Sequence, residues 1–68
     1  MDVTTKKPSY RLTHEDAVQV WLLFWEGHFQ NRIAAMFDTN SGRINEVIKE
    51  HKFVGSKADA MKRRTLAA

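Results

Sequence analysis

Between His14 and Glu26 the chain runs without proline or glycine, and its apolar side chains fall on two helical stripes at once. Ala17, Val20, Leu23 and Phe24 recur at helical spacing, and Val18, Trp21, Leu22 and Trp25 repeat beside them at i, i+3, i+4 and i+7. One stripe suffices to pack a helix onto its neighbours. Two must be covered twice, and that demand limits what the remaining residues can build. Thr13 followed by Asp16 marks the start as a shortened capping box, with Glu15 and Asp16 in the first turn, where the helix dipole favours negative charge. Gly27 can take the left-handed conformation that closes the helix.

The material available for that cover is small. A chain of 68 residues makes one domain and hides only about 60% of its unfolded surface, so its core is thin. The absence of cysteine excludes disulfides and thiolate metal sites. A hydrophobic fraction of 43% and a charged fraction of 28% are those of a soluble globular chain. The longest apolar run, Val20 to Trp25, falls far short of the roughly 20 residues that cross a bilayer. The polar opening from Met1 to Arg11 lacks the apolar stretch of a secretory signal, which makes a cytoplasmic address the expectation. His14, His28 and His51 have no helical i, i+4 pairing, and no spaced nucleophile, base and acid or glycine-rich phosphate loop appears. Neither an enzyme nor a metal or other cofactor is expected.

Two further apolar periods follow the long helix. Ile33, Ala34, Met36 and Phe37 predict a second helix of about two turns, beginning near Phe29 or Gln30. The run Asp38-Thr39-Asn40-Ser41-Gly42 breaks it, because short polar side chains and glycine tolerate left-handed backbone and bond nearby amides. Ile44, Val47, Ile48 and His51 predict a third helix, capped by Asn40 or Ser41 and continuing to about Lys52. Ser56 and Asp59 repeat the cap spacing before Lys57 to Arg64, a stretch that could add a weak fourth helix. The expected organisation is all-α: a basic arm over residues 1–12, a trihelical domain over 13–54, and a basic tail or short helix over 55–68.

Charge is segregated along the chain. Residues 1–13 carry a net +2, residues 14–28 a net −3 and residues 29–68 a net +4, for a total of +3. Two basic blocks flanking an acidic helix favour a polyanionic partner, since Lys and Arg that replace counterions on phosphates gain free energy from their release.

The stretch from Gly27 to Ile44 carries the pattern Gly-x-x-Gln-x-x-Ile-Ala-x-x-Phe over Gly27, Gln30, Ile33, Ala34 and Phe37. Together with the Leu12-Thr13-x-Glu15-Asp16-Ala17 opening, it resembles the homeodomain-like helix-turn-helix family, in particular the DNA-binding modules of bacterial invertases, resolvases and small regulators. Two positions depart from that family. Phe29 stands where a serine or threonine cap is common, and Asp38-Thr39 replaces the usual Gly-Val of the turn. The resemblance implies a trihelical fold in which Ala34 lets two helices approach closely and Ile33, Phe37, Ile44 and Val47 share the core. It implies sequence-specific binding of double-stranded DNA, as a small bacterial or phage-type transcriptional regulator or DNA-architectural accessory factor associated with the nucleoid.

Under this resemblance the third helix enters the major groove. Ser41, Gly42, Arg43, Asn45, Glu46 and Lys49 then become the expected base-contacting residues. Arg43 could bond a guanine bidentately and Asn45 an adenine, each worth ~1–3 kcal/mol of discrimination, while Glu46 could accept from cytosine or repel phosphate. Gly42 would permit close approach of the backbone. Gln30, Asn31, Arg32, Asn40 and Lys52 are expected on the phosphate backbone, and Lys6, Lys7 and Arg11 resemble arms that enter the minor groove.

The second stripe of the first helix needs its own cover. The apolar residues of the tail, Ala58, Met61 and Leu66, look too small or too scattered to supply it. Val18, Trp21, Leu22 and Trp25 are therefore expected at a homodimer interface, or in an alternative reading at an adaptor surface that binds RNA polymerase or another regulator, with a place for Trp21 and Trp25 in the chain's own core as the remaining alternative.

Overall fold

The computed structural model describes residues 11–67, which form four α-helices and no strand: α1 (His14–Trp25), α2 (Gln30–Met36), α3 (Ser41–Ile48) and α4 (Ser56–Ala67). Among these residues no helix is long and apolar enough to cross a membrane. α1 starts where its cap predicts. Thr13 Oγ1 accepts from the Asp16 amide at 3.2 Å, and Asp16 Oδ2 accepts from the Thr13 amide at 2.9 Å, which completes a reciprocal capping box. Gly27, at φ +101°, ends the helix, with the Gly27 amide donating to Phe24 O and the His28 amide to Leu23 O.

Both stripes of α1 are covered within the chain. α2 and α3 pack on each other and on α1, and Ala17, Val20, Ile33, Ala34, Ile44 and Val47 are buried in the shared core. Leu23, Phe24, Phe37 and Ile48 pack around its edge. α4 packs on α1 more extensively than any other helix does, and on neither α2 nor α3. α1 is thus the central element.

Val18 and Trp21 are covered by the chain itself and not left open for a second copy. Val18 and Trp21, assigned to an interface between chains, are only 1% and 4% exposed, and Leu22 and Trp25 are half-buried. The cover comes from residues that a count of apolar side chains passes over. Ala60, fully buried, is small enough to let the helices approach. Ser56 Oγ, also buried, accepts the Trp21 indole N–H at 3.1 Å. Lys57 Nζ lies 5.4 Å from the Trp21 ring and the Arg64 guanidinium 5.4 Å from the Trp25 ring, so that cations and their aliphatic stems shield the indoles. The tail residues offered as apolar cover face outward instead: Met61 is 54% and Leu66 84% exposed, and Ala58 is exposed as well.

Two polar contacts fix the register of α4 on α1. Arg63 forms a bidentate pair with Glu15, and His14 Nε2 lies 2.8 Å from Asp59 Oδ2. The Arg63 hydrogen bonds, helped by Gln19, hold the Glu15 carboxyl down at about 2 from its usual 4.5. Because the folded value lies below the unfolded one, this contribution is complete above pH 4.5 and is lost as pH falls towards 2. The pair is exposed, so the contribution is modest and screened by salt.

α3 ends at Ile48, a turn earlier than its period predicts. The chain turns left-handed at Glu50, φ +59°, and the His51 amide closes on Glu46 O at 2.9 Å, leaving His51 exposed rather than on the packed face.

Two outcomes follow. Trp21→Phe leaves the Ser56 hydroxyl buried without its donor and should cost about 1–3 kcal/mol in urea unfolding, against about 3–5 kcal/mol for Trp21→Ala. In thermal melts at low salt, wild type should lose its advantage over Glu15→Gln between pH 4.5 and 2, whereas a constant gap would rule out the Glu15–Arg63 pair as its source.

Candidate nucleic-acid interface

α2 and α3 are joined by four residues, Phe37 to Asn40, whose geometry sets the direction of α3. Asp38 takes φ +54°, the Asp38 amide bonds Ala35 O at 3.2 Å, and the Thr39 amide bonds Ala34 O at 2.9 Å. Aspartate tolerates this left-handed position better than most residues, which explains how it serves there without glycine. Thr39 turns its hydroxyl inward, where Oγ1 is buried without a hydrogen-bond partner. Asn40 then caps α3, its Oδ1 accepting from the Arg43 amide at 3.1 Å. A Cβ on Gly42 would stand 3.0 Å from that Oδ1. Gly42 therefore has a local reason to be small, independent of any ligand.

With Ile44 and Val47 buried, α3 directs Gly42, Asn45, Glu46 and Lys49 away from the core. Ser41, Gly42, Arg43, Asn45 and Lys49 are exposed, and Glu46 is partly so. Arg43 is engaged: its Nη1 lies 3.2 Å from both carboxylate oxygens of Glu46 one turn on. Of the residues expected on the phosphate backbone, Asn31, Arg32, Asn40, Lys52 and Arg11 are exposed and Gln30 is half-buried. Asn40 is occupied as the cap of α3. Lys6 and Lys7 lie outside the described residues.

α2 starts without a side-chain cap, because Phe29 occupies the position and has nothing to accept with. Its ring is 73% exposed. The structure thus brings Arg43, Asn45, Glu46 and Lys49 onto one side of a short helix and separates them from Val18 and Trp21, which belong to the packing of α4. The Arg43–Glu46 pair was not singled out from the sequence, although its i, i+3 spacing is legible there.

No family model matches the chain, and neither a curated protein nor a solved structure matches it. The resemblance noted above therefore stands on the residues alone.

Replacing the buried hydroxyl of Thr39 by a methyl removes an unpaired polar group without changing shape. Thr39→Val should raise stability by about 1 kcal/mol in denaturant titration, and a lowered midpoint would show that the hydroxyl has a partner.

Proposed function

We propose that this chain binds double-stranded DNA in a sequence-specific manner, as a small transcriptional regulator or a DNA-architectural factor, with α3 lying in the major groove. The observation that carries the reading is the outer side of α3. It presents a guanidinium, an amide, a carboxylate and an ammonium to solvent while its other side is anchored by Ile44 and Val47. No Cα of α4 comes within 8 Å of α3 among the described residues, so the chain's own last helix leaves that side open. Base edges present donors and acceptors that such side chains complement, and the neighbouring Lys49, Lys52 and Arg32 can neutralise phosphates.

An adaptor that uses the apolar stripe of α1 has less in its favour, because Val18 and Trp21 lie beneath α4. The basic surface also suits a polyanion better than a protein groove. A nucleoid association belongs to this proposal and follows from DNA binding.

The decisive measurement is duplex affinity as a function of salt. Log affinity should fall steeply with log salt, and Lys49→Ala combined with Lys52→Ala should reduce the slope by about 1.8 while leaving base preference intact. Arg43→Ala should instead relax the preference at one base pair. A flat salt response would overturn the proposal.

A further inference from the structure

We infer that Arg43 and Glu46 act as a single reading unit for a G·C base pair; this inference rests on the DNA-binding proposal above and names the base pair that α3 prefers. Arg43 is held at both ends. Its amide donates to Asn40 Oδ1 at 3.1 Å, and its Nη1 reaches both Glu46 oxygens at 3.2 Å. A guanidinium has five N–H donors in a planar fork, so engaging Nη1 with Glu46 leaves Nη2 and Nε free to donate elsewhere. The carboxylate has about four lone-pair sites, and the contact with Arg43 leaves acceptor capacity as well.

The resulting group offers donors beside an acceptor. In the major groove a G·C pair presents two acceptors, guanine N7 and O6, followed by the cytosine N4 donor, whereas an A·T pair presents acceptor, donor, acceptor. The donors of Arg43 and the acceptor of Glu46 complement the first order and conflict with the second. Charge points the same way. A carboxylate on a surface that meets phosphates weakens binding to every duplex, so its place one turn from Arg43 is understandable if it contributes to discrimination rather than to affinity.

The test is a binding selection with the full chain on a duplex library randomised over about ten base pairs, roughly one helical turn. Wild type should enrich G·C at one position. Glu46→Gln should lower that preference about tenfold and raise affinity for unselected duplex, because the repelling charge is gone while the side chain keeps its shape. Arg43→Lys should lose a similar preference with affinity for unselected duplex unchanged within about twofold, since an ammonium keeps the charge but cannot form the fork. A purely structural pair would not divide preference from affinity in this way, and thermal melts of the three proteins show whether folding contributes. Full G·C preference in Glu46→Gln, or enrichment of A·T by wild type at the position that Arg43→Lys relaxes, overturns the inference while DNA binding stands. Absence of duplex binding by wild type overturns both.

Discussion

The whole arrangement depends on one helix that is apolar on two sides. α1 cannot be stable with Val18, Trp21, Leu22 and Trp25 in water, and a chain of 68 residues has little with which to cover them. The solution is chemical rather than bulky. An indole has an N–H that needs an acceptor and a ring face that attracts cations, and α4 provides Ser56 for the first and Lys57 and Arg64 for the second. A helix with few large apolar residues can therefore close a tryptophan-rich surface. Ala60, with almost no side chain, allows the approach that makes those contacts possible.

This division has a consequence for the rest of the surface. Because α4 spends its basic side chains on α1, the cations of the tail are partly committed: Arg63 to Glu15, and Lys57 and Arg64 to the indoles. Three of the eight bases of residues 29–68 thus take part in the packing of α4 on α1. Among the described residues the other exposed bases are Arg32 on α2, Lys49 and Lys52 at the end of α3, Lys62 on α4 and Arg11, while Arg43 is paired with Glu46. Net charge favours a polyanionic partner, and the fold commits part of that charge to its own packing.

The trihelical half was legible in the sequence because its signals are local and redundant. The Thr13–Asp16 box, Gly27, the polar turn at Asp38 to Gly42 and the apolar periods of α2 and α3 each fix a boundary or a face, and they agree. The dependence of Trp21 on Ser56 was not legible, because it joins residues 35 positions apart through a polar contact that apolar periodicity does not register. The same blindness made Met61 and Leu66 look like failed core residues when they lie on the outer side of α4. For the candidate interface, the exposed side of α3 could be read from its period. The coupling of Arg43 to Glu46 required side-chain geometry, since i, i+3 neighbours of opposite charge are common and only some of them meet.

Left-handed backbone at non-glycine residues is concentrated at the two ends of α3. Asp38 precedes it, and Glu50 and Phe53 follow it, at φ +54°, +59° and +55°. Each costs on the order of 1–2 kcal/mol in an L-residue, which a thin core can ill spare. The geometry explains what is gained. Asp38 reverses the chain so that α3 packs back on α2. Glu50 stops α3 before its C-terminal side chains would follow the core, and Phe53 turns the chain towards Ser56 while its ring packs against the core and meets the edge of His14 at 6.4 Å. The segment from Lys49 to Gly55 thereby carries the chain from α3 to the other covered side of α1. Without those turns the chain would run on along the axis of α3 instead of returning to α1. The strain is therefore tied to keeping two surfaces of α1 separately covered, and the same backbone path sets α4 on α1 and away from α3.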